Sequence, residues 1–341
     1  MFPTSKPFID ACRRRAVERT PVWFMRQAGR YLPSYRRVRR EMGVIEMSKD
    51  PEVSSAVAAG AAKELGVDAA IIFADIMLPL EGMGVGFEIR ENVGPVVRRP
   101  VRTGEDVAAL RGFSAGRDVP FVMEGIRRLR EMLDGQVALI GFSGAPFTLA
   151  SYMIEGGPAR DFALTKAMMY GDPDAWKGLM ERLSSMVRDY LAAQISAGAE
   201  AVQLFDSWAG CLSPEDYARY VLPYTARAFD GLGAVKIHFC AQSSHLIERL
   251  AETGADVLSV DWRIPIGDVW GRTGEGFAVQ GNLDPAAASA GGKGMEERVE
   301  AIMKAAEGHR GHIFSLGHGV LKETPPENLR RIVDIVHGYG G

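Results

Sequence analysis

Short, nearly unbroken apolar runs bounded by turn residues recur eight times: PVWFM (21–25), DAAIIFAD (68–75), VALIGFSG (137–144), EAVQLFDS (200–207), AVKIHFC (234–240), DVLSVD (256–261), GFAVQGNLD (276–284) and HIFSLGHG (312–319). Runs of this kind, apolar on successive positions, fit strands covered on both faces. The segments between them carry helix punctuation. Asp50–Pro51 predicts a capped helix that ends before Gly66, and Asp172–Pro173 predicts another that runs to about Ala197 and stops at Gly198. A third, SSHLIERLAETG, leads directly into DVLSVD. This alternation predicts an α/β fold: a single (β/α)8 TIM barrel over residues 1–341, with an active-site cleft at the C-terminal ends of the strands. A doubly wound open sheet is the alternative, but no G-x-G-x-x-G follows the first strand. The one irregular stretch, roughly 80–120, contains EGMGVGFEIRENVGPVVRRPV and reads as a hairpin inserted after the second strand.

Composition narrows the function classes. With 40 Lys+Arg against 43 Asp+Glu the net charge is −3, which argues against a nucleic-acid or general polyanion binder. Anion recognition must come from a few placed arginines. Cys12, Cys211 and Cys240 are too scattered for a disulfide framework. No apolar signal core opens the chain, and the greasiest run, AAIIFADIMLPL, is short and carries Asp75. The expectation is a cytoplasmic protein with no membrane segment.

The strand ends carry Arg26 and Arg30, Asp75, Ser143, Asp206 and Ser207, His238 and Cys240, Asp261, Asn282 and Asp284, and His318. Ser143, Asp261 and Asp284 read best as cap or turn residues; the others are expected to converge on the catalytic rim. In Arg26-Gln27-Ala28-Gly29-Arg30, small residues separate two guanidiniums whose forked donors match carboxylates. Arg36, Arg37, Arg39 and Arg40 read as a solvated helix face. Asp75 ends an apolar strand, so it must either pair with an arginine inside the fold or meet a cationic or N–H-rich ligand. Tyr152, on a helix after the third run, needs a partner for its hydroxyl. His318 lies between two glycines, where backbone could approach a ligand. His238-Phe239-Cys240 offers two zinc ligands, but no cysteine follows Cys240 to complete a site, so no metal is expected.

The stretches PVWFMRQAGRYLPSYR, GFSGAPFTLASYMIEGG, LFDSWAG, VQGNLD and FSLGHGVLKETPPENL, in that order, resemble the uroporphyrinogen decarboxylase family over nearly the whole chain. The resemblance implies a homodimeric barrel carboxy-lyase of haem biosynthesis that needs neither cofactor nor metal. Its substrate class is a cyclic tetrapyrrole bearing four acetates and four propionates. It implies that Arg26, Gln27, Ala28, Gly29 and Arg30 form the substrate-binding loop, with Arg26 and Arg30 holding side-chain carboxylates. Asp75 would receive the pyrrole N–H groups and stabilise positive charge on the ring, and Tyr152, Ser207 and His318 would complete the contacts. The proton donor stays open among Arg26, Tyr152, a substrate carboxyl and water. The family commonly has Glu at the position of Ser34 and an aromatic at that of Ile45. Two rivals are a zinc-dependent barrel methyltransferase and a tetrapyrrole carrier without catalytic activity. Bound zinc would favour the first; retained binding without turnover would favour the second.

Overall fold

The computed structural model describes residues 6–90 and 93–339. Its strands are β1 (Ala69–Ile71), β2 (Phe87–Arg90), β3 (Gly94–Val97), β4 (Ala138–Gly144), β5 (Ala201–Asp206), β6 (Val235–Cys240), β7 (Val257–Ser259), β8 (Ala278–Leu283) and β9 (His312–Leu316). A seven-stranded parallel sheet runs in the order β1-β4-β5-β6-β7-β8-β9, and β2 and β3 form a separate antiparallel pair. The main sheet is curled, with each strand hydrogen-bonded to the next and helices between them. In register, Leu204 of β5 lies opposite His238 of β6, and Gln280 of β8 opposite Ile313 of β9.

The expected first strand is where the structure departs from the sequence reading. Residues 21–25 make one isolated parallel bridge, Val22 to Phe314, and no regular strand. The reason lies in which groups serve as partners. Phe314 N–H donates to Pro21 O at 2.9 Å and Trp23 N–H to Phe314 O at 3.2 Å, so one edge of the segment meets β9. On the other edge Asp68 N–H donates to Val22 O at 2.8 Å, and the Val22 N–H is taken by the Asp68 side chain at 2.7 Å. The Gln27 amide then continues along β1: oriented to satisfy both ends, it donates to Ala69 O and accepts from Ile71 N–H, each at 3.3 Å. On the β1 edge side chains thus stand in for part of the backbone ladder, and the chain turns away at Met25–Arg26 with Arg26 in the left-handed region, φ 61°.

Strand alternation sets what faces where. Ala138, Ile140, Ala201, Ile237, Phe239, Val257, Ala278 and Ile313 pack with Trp23 and Met25 into the inner cluster. A polar layer sits among them. Trp23 Nε1–H donates to Gln280 Oε1 at 2.5 Å, and Gln280 Nε2 donates to Ser259 Oγ at 2.8 Å and Gln203 Oε1 at 3.3 Å. The opposite faces, including Leu204, Leu258 and Val279, pack against the helices.

The capped helices form where the punctuation puts them. Pro51–Leu65 starts at Asp50, whose carboxylate accepts from Glu52 and Val53 N–H, and ends at Gly66 with φ 70°. Pro173–Ala197 starts at Asp172 and ends at Gly198. SSHLIERLAETG is less regular, a 3-10 turn (Ser244–Leu246) leading into a short helix (Ile247–Ala251). The inserted hairpin is present, with Phe87 opposite Val97 and Arg90 opposite Gly94; its turn residues 91–92 lie outside the described residues. Val97 N–H donates to Gly156 O at 2.8 Å, which docks the hairpin on the end of the helix Pro146–Glu155.

Asp68 is the linchpin of the joint at residues 21–25. It is buried, and its carboxylate also accepts from Arg19 Nη2 at 2.7 Å and from His337 Nε2 at 2.8 Å. Asp68→Ala strands the Val22 N–H and is expected to lower stability by about 2–3 kcal/mol. Arg19→Gln, whose charge is partly solvated, is expected to cost under ~1 kcal/mol. Urea unfolding of both variants checks this; equal losses would mean that the backbone contact is not the stabilising one.

Candidate active site

A cavity of about 290 Å³ opens at the C-terminal ends of the strands. Its polar lining is Arg26, Gln27, Asp75, Tyr152, Ser207 and His318, and its walls include Ile71, Phe73, Phe142, Phe205 and Pro95 of the inserted hairpin. Two larger concavities, lined by residues such as Arg13 and Gly233, lie at the opposite ends of the strands and hold none of these groups.

Asp75 follows β1 in a segment that leaves the sheet before the helix Leu78–Gly82. Its Oδ1 accepts from Met77 N–H at 2.8 Å. No cationic nitrogen lies within 4.0 Å of it among the described residues, so the internal ion-pair reading is not realised. Burial pushes its pKa up, opposed by the Met77 N–H bond and by Arg26. It is a carboxylate aimed into an apolar-walled cavity and short of partners.

Arg26 faces the same cavity, and its guanidinium has no hydrogen bond or ion pair within the described chain. Its stem is shaped by Gly319: a Cβ there would sit 2.5 Å from Arg26 Cδ and 3.0 Å from its Nε. Gly317 is likewise occupied, because a Cβ would meet Trp262 N at 2.6 Å. The glycines flanking His318 therefore admit protein, not ligand, which corrects the sequence reading. His318 Nδ1 accepts from Gly319 N–H at 2.8 Å. Burial and Arg26 depress its pKa to about 4, so at neutral pH the ring is uncharged with its proton on Nε2. Tyr152 is pushed up to about 12, first by burial and then by Asp75, with a hydrogen bond from Trp208 opposing, and it remains a neutral hydroxyl. The Ser207 hydroxyl lines the cavity and makes no bond within the described chain.

Other expectations separate. Gln27 is buried and spends its amide on β1, so it positions the loop, while Ala28 lines the cavity. Gly29 is packed tightly: a Cβ would lie 3.0 Å from Arg26 O. Arg30 is exposed and lies outside the cavity lining. Ser34 donates to Glu64 Oε2 at 2.7 Å, so a carboxylate still stands near that position, supplied by another helix; Ile45 packs on the core. Asp206, His238 and Cys240 do not join the rim: all three are buried on the helix-facing side of β5 and β6, with His238 edge-on to Phe229 at 6.1 Å. Among the described residues no three His, Cys, Asp or Glu side chains are grouped to hold a metal ion. Asp261 accepts from Gln242 N–H and from the Arg263 guanidinium, and Asn282 Nδ2 donates to Asp261 O and Ile264 O across the neighbouring strand end. Asp284 accepts from Ala286 N–H, and Ser143 donates to Gly144 O. The apolar walls were missed from sequence, although Phe205 and Ser207 share the inward parity of their strand.

The whole sequence matches one family description, "Uroporphyrinogen decarboxylase (URO-D)", over residues 3–339. The chain belongs to the uroporphyrinogen decarboxylase family. A protein of Roseiflexus sp. (strain RS-1) named uroporphyrinogen decarboxylase is 49% identical over 98% of this chain and 99% of its own. One of the same name from Carboxydothermus hydrogenoformans is 48% identical over 97% of this chain and 95% of its own. A solved structure described as a methyltransferase from Methanosarcina mazei superposes with a TM-score of 0.78 over 98% of both chains at 18% identity, which is a likeness of fold. No helix among the described residues is long and apolar enough to cross a membrane.

The histidine environment is directly measurable. His318 and the buried His312, also depressed to about 4, should titrate by NMR near pH 4 instead of near the ordinary 6.5. Because the folded pKa values lie below the unfolded ones, the stability these rings contribute is full above 6.5 and is lost as the pH falls toward 4. A His318 midpoint above 6 would remove the neutral-donor assignment.

Proposed function

We propose that this chain is a uroporphyrinogen decarboxylase, removing the four acetate carboxylates of uroporphyrinogen III as CO2 to give coproporphyrinogen III in haem biosynthesis. The observation that carries the reading is the pairing of an under-partnered Asp75 with an unpaired Arg26 across one apolar-walled cavity, in a chain of this family. We infer further that residues 21–25 join β9 to β1 as an eighth stave, making one closed barrel of a single domain. The hydrogen bonds on both edges of that segment support this.

In this reading the substrate seats its pyrrole N–H groups toward Asp75, which supply the donors the carboxylate lacks. Arg26 lies beside it for a substrate carboxylate, and exposed Arg30 serves an outer arm. Ser207, Tyr152 and His318 Nε2–H add neutral hydrogen bonds. Protonating the pyrrole carbon next to an acetate makes the ring an electron sink. The bond to the carboxylate then breaks, its electron pair flows into the ring and CO2 leaves. A second proton turns the exocyclic methylene into a methyl group, and the ring carbon gives up the first proton, which restores the neutral pyrrole. Positive charge appears on the ring only along this path, so a fixed Asp75 in a poorly solvated cavity favours the transition state over the neutral ground state. The ring itself is the sink, and the proposal uses neither cofactor nor metal. Tyr152, held neutral at about 12, is better suited to donate a hydrogen bond than to release a proton. The candidate acids are Arg26, Tyr152, a substrate carboxyl and water.

Exposed Trp262, whose backbone nitrogen lies beside Gly317, and Leu321, three residues past His318, give apolar surface by the loop that carries His318. We infer that a second copy covers it in a homodimer acting in the cytoplasm. No observation favours the methyltransferase reading, since His238 and Cys240 face the helices.

Anaerobic incubation of chelator-treated protein with uroporphyrinogen III, followed by oxidation and separation by carboxylate number, is expected to give a descending ladder ending at coproporphyrin. Asp75→Asn should hold substrate within about threefold of the wild-type Kd while kcat falls about 100- to 1000-fold. Lost affinity with turnover of bound substrate preserved would overturn the electrostatic role.

A further inference from the structure

Behind the cavity, on the helix-facing side of β5, lie two buried polar residues with no part in substrate contact. Thr148 and Asp206 are both fully enclosed. Thr148 Oγ1 donates to Asp206 Oδ1 at 2.7 Å and accepts from Trp208 N–H at 3.3 Å. Close by, Ala145 N–H donates to Phe205 O at 3.0 Å, tying the start of the helix Pro146–Glu155 to the end of β5.

The sequence positions give these bonds their meaning. Thr148 is one helical turn before Tyr152, on the same helix face. Asp206 is the residue before Ser207, and Trp208 follows. The Trp208 ring packs against Tyr152 at 5.7 Å and against Phe162 at 5.3 Å. One hydroxyl therefore joins the helix that carries Tyr152 to the strand end that carries Ser207. Asp206 is an expensive way to achieve this, since among the described residues its Oδ2 has His238 Nε2 at 3.7 Å and no hydrogen bond. A simple core contact would be better served by an apolar pair.

We propose that Thr148 and Asp206 form a positioning pair that fixes Tyr152, Trp208 and Ser207 relative to one another in the decarboxylation site. The inference rests on the functional reading above. The pair touches no substrate; it sets the separation of two groups that do, and small errors in such separations are costly to turnover.

The test is a cycle with uroporphyrinogen as substrate. Thr148→Val keeps shape and removes both hydroxyl bonds, while Thr148→Ser keeps the hydroxyl. Thr148→Val is expected to lower kcat about tenfold with KM within about twofold of wild type, and Thr148→Ser to restore kcat to within about twofold. In a background already carrying Tyr152→Phe and Ser207→Ala, Thr148→Val should cost less than about twofold, because the positioned groups are gone. All rates are taken on protein shown by thermal melts to be folded at the assay temperature. A lowered Tm with wild-type kcat, or an undiminished loss in the double-variant background, would reduce Thr148 to a packing role. Wild-type kcat/KM in the Tyr152→Phe, Ser207→Ala protein would instead overturn the site reading, and the positioning role with it.

Discussion

A carboxylate kept among apolar walls without a contacting cation is the condition around which this molecule is organised. Asp75 has one backbone N–H from Met77, and burial works against its charge. Left to itself such a group would seek an arginine or take up a proton. The nearest arginine in the cavity, Arg26, stays out of contact and keeps its own donors unspent. Opposite charges thus face one space without neutralising each other, and a ligand carrying both N–H groups and carboxylates satisfies both. His318 and Tyr152, both neutral near pH 7, add donors without adding charge.

Holding that separation is a task for the backbone. Arg26 adopts a left-handed conformation, and its stem runs over Gly319, where any side chain would displace it. Gln27 and Asp68 spend their side chains on main-chain partners of the neighbouring strands, which fixes the loop where regular pairing stops. The inner layer from Trp23 through Gln280 to Ser259 and Gln203 supports the floor beneath. These polar groups share one purpose: they turn a flexible turn into a rigid mount. Rigidity of this kind lets electrostatic stabilisation act without reorganisation.

Much of this was legible in the chain. Seven of the eight apolar runs became strands of one parallel sheet, and the Asp–Pro and glycine signals marked two helices at the expected residues. Asp75, Tyr152, Ser207 and His318, all read as strand-end or adjoining polar groups, line one cavity. The failures have physical causes. PVWFM has strand composition, but its pairing is completed by side chains from Asp68 and Gln27, which no local pattern reveals. His238, Cys240 and Asp206 sit at strand ends, yet residue parity turns them toward the helices; counting alternation along VKIHFC from the inward Ile237 would have shown this. The glycines around His318 signalled close approach correctly and named the wrong visitor, since the approaching groups are Arg26 and the Asp261–Trp262 backbone.

The bonds between residues 21–25 and β9 also have a consequence in time. The loop that carries Arg26 leaves the ribosome among the first parts of the chain, whereas Phe314, Val320 and Gly319, which hold it, emerge among the last. Until then the loop lacks these partners, and the mount that aims Arg26 into the cavity is incomplete. Folding domains generally gain their long-range contacts late, because distant segments must first be brought together. An incomplete chain therefore lacks the finished site. The two ends of the polypeptide act as the halves of a clasp, and function begins when it shuts.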